Sequence, residues 1–324
     1  MGRKVVLDLD TGIDDSMAIC EALANPALDL VGVTGVFGNT SVDQGVKNAL
    51  AVLHLLGADD VPVWPGARHP LVWDRSDDFV PPRNIMDIHG DNGVGNVELP
   101  DSPRLPEPTY APDALVELCH EFGSDLSIVA TGPLTNLALA YQKDPDALGL
   151  AGSITVMGGA VATEGNVSPC AEANVFNDPE AASIILTSGL PVTLVGLDVT
   201  MKAILTKEMV GRWREAGPAG EKMADIVGFY VDAHNRWLAP TLGGCALHDP
   251  LSVAVAADPT LCGYLPSVMK VDLTGELRGR TIGDQAQIRN PCRPVQVALT
   301  LDAERFSAQL MKDIERVCAE APRP

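Results

Sequence analysis

In the opening stretch of the chain, short apolar runs alternate with segments of helical spacing, and this alternation restricts the possible folds more than any other feature. Lys4 to Leu9 reads as a strand, Asp14 to Ala24 as a helix, Leu30 to Val36 as a strand, Val42 to Leu56 as a helix and Val61 to Trp64 as a strand. Repeats of this kind bury parallel strands beneath helices on both faces. The order resumes with a helix at Asp113 to Glu121, a strand at Leu126 to Ala130, a helix at Leu134 to Gln142 and a strand at Ile154 to Met157. A helix at Pro179 to Thr187 and a strand at Val192 to Val195 follow. The pattern predicts the α/β class, with a mostly parallel central sheet flanked by helices.

Such a sheet would be open and Rossmann-like, with helical and loop insertions in one domain spanning 1–324. Residues 65–112 are rich in Pro, Gly, Asp and Asn with little periodicity, which predicts a long connection at the active site. Residues 207–247 read as a mainly helical insertion, and the tail from Ser267 as two or three strands and a final helix, Ala303 to Cys318. With 46% apolar residues the chain can bury a large core. A formal charge of −20 opposes a phosphate backbone, so no nucleic-acid partner is expected. No apolar run approaches the roughly 20 residues of a membrane span, so no membrane partner is expected either. The N-terminus has no cationic and apolar leader pattern, and a cytoplasmic location is the expectation. The seven cysteines (Cys20, Cys119, Cys170, Cys245, Cys262, Cys292, Cys318) are scattered, as reduced thiols would be.

Directly after the first strand the chain reads DLDTGIDD, Asp8 to Asp15. Four carboxylates at the C-terminal end of a strand lie where open α/β sheets bind ligands. Two unit charges about 4 Å apart repel by roughly 4 kcal/mol at an effective dielectric of about 20, so a converging cluster needs a cation or shifted pKa values. Asp14 and Asp15 could simply favour a helix N-terminus. That leaves Asp8 and Asp10, on alternate positions of an apolar strand, without a reason. Oxygen ligands point to a hard cation such as Ca²⁺ or Mg²⁺.

Two further segments carry polar groups of interest. His248 and Asp249 adjoin at the start of another apolar helical run, as an active pair or as a helix cap beside a satisfied histidine. After Gly158 and Gly159, a loop offers Glu164, Asn166, Glu172 and Asn174, groups suited to binding adjacent hydroxyls of a sugar or to an ordinary polar loop.

Taken together, these segments resemble the inosine-uridine-preferring nucleoside hydrolase family over nearly the whole chain. The resemblance rests on DLDTGIDD (Asp8 to Asp15), Gly38-Asn39, His89-Gly90, TGPLTN (Thr131 to Asn136) and MGG (Met157 to Gly159). It continues through EGN (Glu164 to Asn166), EAN (Glu172 to Asn174), DPEAA (Asp178 to Ala182), GLDVT (Gly196 to Thr200) and HDP (His248 to Pro250). It implies hydrolysis of the N-glycosidic bond of ribonucleosides to ribose and free base. Asp10, Asp15, Asp249 and the Thr131 carbonyl would ligate Ca²⁺. Asp14, Asn39, Asn166, Glu172 and Asn174 would bind the ribose, and Asp8 would support the metal loop. Asp10 is the implied general base for a Ca²⁺-bound water, and His248, with a near-neutral pKa, the implied proton donor to the leaving base. His89 would lie near that base. A homodimer or homotetramer is implied as well. Ala173 stands where many members carry an aromatic residue, and the segment 235–248 is longer than usual, with Gly243-Gly244 suggesting flexibility. His234 and Trp237 could contact the base or lie on a helix surface.

Two rival functions fit parts of the pattern. A haloacid dehalogenase-type phosphatase also carries paired aspartates after its first strand, but it wants Thr or Val where this chain has Gly12. A non-catalytic nucleoside- or ribose-binding protein has no need of Asp10 and His248.

Overall fold

The apolar run that opens the chain lies in the middle of the molecule. Val5, Val6, Leu7 and Leu9 are wholly buried, as a parallel strand covered on both faces requires. The computed structural model describes residues 2–238, 240–284 and 295–322, without the side chain of Leu238. In chain order, β1 (Arg3–Leu9), α1 (Ile13–Ala24), β2 (Leu28–Gly35), α2 (Val42–Leu55) and β3 (Val63–Pro65) come first. α3 (Arg83–His89) and α4 (Ala111–Phe122) lead to β4 (Leu126–Ala130), α5 (Thr135–Lys143), α6 (Pro145–Leu150) and β5 (Ser153–Met157). Then follow α7 (Ala173–Asn177), α8 (Pro179–Thr187), β6 (Val192–Val195), α9 (Leu197–Thr200), β7 (Ile204–Leu205), α10 (Lys207–Arg212) and α11 (Pro218–Ala233). A π turn, His234–Leu238, extends α11. β8 (Cys245–Ala246), α12 (Asp249–Ala257), β9 (Cys262–Ser267), β10 (Met269–Val271), β11 (Thr281–Gly283), β12 (Val295–Leu301) and α13 (Ala303–Glu320) complete the described chain.

Eight strands form one sheet in the order β3-β2-β1-β4-β5-β6-β12-β9. All its pairings are parallel except that of β12 with β9. The mostly parallel, helix-flanked sheet expected from the alternation is therefore the fold. β9 was not legible as a strand because Pro266 breaks its pattern; at a sheet edge the missing donor is tolerated. β1 sends Leu7 and Leu9 into a core with α1, α11, α12 and α13, while Val6 faces the opposite core with α4, α5, α6 and α8.

The connectivity fixes the ligand crevice. β1 lies between β2 and β4, so the chain leaves the sheet's centre in two directions and opens a gap at the carboxyl ends of β1 and β4. The DLDTGIDD segment and Thr131 meet there, with the Thr131 N–H donating to the Asp8 carbonyl at 2.9 Å.

One expectation needs correction. Residues 65–112 are not wholly a loop: α3 forms inside them, with Pro82 as its N-cap residue and Gly90, at φ 82°, ending it. Two turns are too short to register as periodicity. Cys292 lies outside the described residues, and the other six cysteines are free thiols. Among the described residues no helix is long and apolar enough to cross a membrane.

Candidate active site

Asp8 belongs to the floor of the crevice. Its side chain is on the α5 face of β1, where Oδ1 accepts from Thr34 Oγ1 (2.6 Å) and Asn136 Nδ2 (2.8 Å). Burial lifts its pKa to about 7. Asn136 also donates to the Gly35 carbonyl and accepts from Ala67 N–H, tying β1, β2 and the segment after β3 together. Asp8 thus braces the loop that carries the other acids.

Asp10, Asp14, Asp15 and Asp249 are all buried. Asp10 is held by Asn39, whose backbone N–H donates to Oδ2 (2.6 Å) and whose side-chain amide donates to Oδ1 (3.1 Å). Gly38 permits that approach, since a Cβ there would fall 2.0 Å from Asp10 Oδ2. Asp15 accepts from Gly12 N–H (2.7 Å) and Thr131 Oγ1 (2.7 Å). Asp14 accepts from the Tyr230 hydroxyl at 3.0 Å through Oδ2. Asp249 arrives on the first turn of α12.

Asp14, Asp15 and Asp249 can each bring one oxygen within 4.8 Å of the others. Burial first, and then the neighbouring acids, push Asp10, Asp15 and Asp249 upward, while burial lifts Asp14 to about 6. Asp14 Oδ1 and Asp249 Oδ2 are buried with no hydrogen-bond partner among the described residues. Orphaned carboxylate oxygens in an all-oxygen cluster are what a hard cation would satisfy, so these residues fit such an ion. The geometry groups Asp14 with Asp15 and Asp249, whereas both Asp10 oxygens already engage Asn39.

Beside the acids is a cavity of 170 Å³ lined by Asp14, Asn39, His89, Thr131, Asn166, Glu172, Asn174, Tyr230, His234, His248 and Asp249, among others. Every residue expected to bind ribose is on its wall. Glu172 caps α7, accepting from Asn174, Val175 and Gly159 N–H at 2.9, 3.2 and 3.0 Å. Asn174 Nδ2 donates to the Thr131 carbonyl at 2.6 Å. Asn166 Oδ1 accepts from Ala173 N–H at 3.0 Å, which leaves its amide nitrogen for a ligand.

Part of the cavity wall is a group of neighbouring rings, His89, Tyr230, His234 and His248. His89, from the end of α3, accepts from Ile13 N–H at 3.3 Å through Nδ1. His234 stacks edge-on against Tyr230, with centroids 4.2 Å apart, and its Nδ1 donates to the Tyr230 carbonyl (3.1 Å). His248 Nδ1 lies 2.9 Å from Thr200 Oγ1. The near-neutral pKa expected for His248 is not what its surroundings give. Burial, reinforced by His234 and His89, pushes it down to about 3; burial takes His89 to about 4, and burial with a smaller push from His89 takes His234 to about 4. Three buried imidazoles that line one cavity are therefore neutral near pH 7.

Of the two aromatic candidates in the helical insertion, His234 lines the cavity, while Trp237 is 62% exposed and does not. Tyr230 and the wall of Asn84, Ile85 and Ile88 were not foreseen. Tyr230 belongs to no motif, and only the register of α11 turns it inward. Thr200 stood in GLDVT and Asn136 in TGPLTN, so their motifs were visible even though their partners were not.

Comparison with known proteins finds relatives over nearly the whole chain. The family model described as inosine-uridine preferring nucleoside hydrolase matches residues 5–308. Uridine nucleosidase 1 of Arabidopsis thaliana is 38% identical, covering 96% of this chain and 94% of the relative. Pyrimidine-specific ribonucleoside hydrolase RihA of Enterobacter sp. is 35% identical, covering 94% and 96%. Among solved structures, a purine-preferring ribonucleoside hydrolase from Gardnerella vaginalis superposes with a TM-score of 0.95 at 46% identity, covering 98% of this chain and 100% of that one.

Proposed function

The chain belongs to the inosine-uridine preferring nucleoside hydrolase family and is a nucleoside hydrolase, and from that membership we propose how its residues cleave ribonucleosides to ribose and base. The observation that carries the reading is the buried acid cluster with two carboxylate oxygens unpartnered among the described residues, beside a cavity lined by short amides and buried imidazoles. Asp10, Asp15, Asp249 and the Thr131 carbonyl would hold Ca²⁺, and Asp14 can bring a carboxylate oxygen within 4.8 Å of those of Asp15 and Asp249. When bound, the ion supplies a hard Lewis acid for the attacking water and an anchor for the ribose diol.

The chain's own groups do the remaining work. Asp14, Asn39, Asn166, Glu172 and Asn174 orient the ribose, so that C1′ faces the acids and the base lies among the rings. Asp10 takes the proton of the attacking water. The carboxylates also stabilise the positive charge that develops on the ribose as the C1′–N bond breaks. His248 offers its N–H to the departing base as a neutral imidazole, and His89 lies along the same wall. The relatives' names span uridine, pyrimidine and purine substrates, so both base classes belong in the test.

The test is incubation of the purified protein with a panel of purine and pyrimidine ribonucleosides and with p-nitrophenyl phosphate, with Ca²⁺ or with chelator. Free base and reducing sugar are expected from nucleosides only. Phosphate release, or no ribose from any nucleoside, would sink the reading.

A further inference from the structure

Three imidazoles share the ring-lined part of the cavity wall, and what each presents to a ligand depends on its tautomer. Two are fixed by backbone groups. The Ile13 N–H donates to His89 Nδ1, so His89 carries its proton on Nε2. The Tyr230 carbonyl accepts from His234 Nδ1, so His234 Nε2 keeps a lone pair. The third, His248, is fixed by a side chain. Its Nδ1 meets Thr200 Oγ1 at 2.9 Å, and Thr200 is wholly buried on α9.

A hydroxyl can donate or accept, so the direction of this bond must be argued. Among the described residues, His248 Nδ1 is the partner of the Thr200 hydroxyl. If Nδ1 carried the proton, the hydroxyl hydrogen would be buried with nothing to receive it, which is costly. If the hydroxyl donates, both groups are satisfied and the His248 proton sits on Nε2.

We propose that Thr200 is a positioning residue for the hydrolysis, whose hydroxyl donates to His248 Nδ1 and so holds His248 as the Nε2–H tautomer that offers a hydrogen bond to the departing base. The proposal rests on the role given to His248 above. It explains how a pocket of neutral imidazoles still presents a donor to the leaving group: the proton's position is set by a buried hydroxyl instead of by net charge. Thr200 touches no substrate and acts only through the ring.

Two measurements on the Ca²⁺-loaded protein test it. In Thr200→Val, turnover of nucleosides with poorly departing bases should fall by about tenfold to a hundredfold, a part of the roughly hundredfold to ten-thousandfold that a positioned proton donor supplies. Cleavage of p-nitrophenyl riboside, whose leaving group needs no donor, should stay within about threefold, and Thr200→Ser should behave like the parent. Separately, ¹⁵N NMR of labelled histidine, with the His248 signals identified by their loss in His248→Gln, should report a protonated Nε2 in the parent and in Thr200→Ser. Thr200→Val should give mixed tautomers. Equal loss on both substrate types, no loss on either, or a protonated Nδ1 in the parent would overturn the proposal. If the parent cleaves no nucleoside, the proposed function fails first, and the NMR result still decides what Thr200 does.

Discussion

Replacing Asp249 with Asn should make the metal-free protein more stable while removing most of its response to calcium. Asp249, Asp14 and Asp15 can place oxygens within 4.8 Å of one another, a spacing at which each ionised pair repels by about 3.5 kcal/mol at an effective dielectric of about 20. Asp249→Asn deletes two of these pairs and lets an amide N–H point at Asp14 Oδ1, unpartnered among the described residues. Protonation already relieves part of the repulsion, which is why Asp14 is lifted to about 6 and Asp249 and Asp10 are raised. The net gain at pH 8 should therefore be nearer about 3 kcal/mol, or about 4 °C in Tm for a chain of this size. The sign follows from linkage. Acids whose folded pKa is raised bind more protons folded than unfolded, so metal-free stability falls as pH rises from about 4 through the raised values. Calcium at about a thousand times its Kd should add about 4 kcal/mol to the parent and far less to the variant. Thermal unfolding with chelator and with excess Ca²⁺ measures both quantities. A variant no more stable than the parent in chelator, yet equally stabilised by Ca²⁺, would refute the reasoning.

Asp10→Asn should abolish turnover whatever the base, by about a thousandfold or more, because the water's proton loses its acceptor. His248→Gln should hurt most for poorly departing bases; steady-state kinetics over a leaving-group series separates the two, and a uniform loss in His248→Gln would count against its role. Away from the site, Glu21 is buried in α1 with Oε2 unpartnered among the described residues and its pKa lifted to about 7, chiefly by burial. The parent should lose stability between about pH 4.5 and pH 7 as this group ionises. Glu21→Gln should lack that component, gaining up to about 3 kcal/mol at pH 8 in chemical unfolding. A parent and variant with parallel pH profiles would show that Glu21 does not titrate in this window.

What the sequence disclosed and withheld follows from the range of the forces involved. Strand-helix alternation is local, so the sheet and most of its helices could be read directly. Asp8 and Asp10 stood out because charges on alternate positions of a buried strand are costly. The meeting of the DLDTGIDD segment with Asp249 could not be read from local spacing and came only through resemblance, because it depends on the turn of α12 toward β1. The near-neutral pKa expected for His248 failed because a sequence does not show desolvation: the ring is buried beside His234 and His89, and burial first and then those two rings lower its pKa. α3 and Tyr230 were hidden for simpler reasons, a helix of two turns and a side chain whose direction depends on register.

The most direct test of the central claim, that a cation held by buried acids grips a ribose while its base is released, pairs ribonucleosides with their 2′-deoxy counterparts. Base release is followed by chromatography in Ca²⁺ and in chelator. Cleavage of the ribonucleosides should require the cation, and the 2′-deoxy compounds should react about a hundredfold more slowly or less, having lost one of the two anchoring hydroxyls. Base release that survives the chelator, or that proceeds equally from the deoxy compounds, would contradict the account.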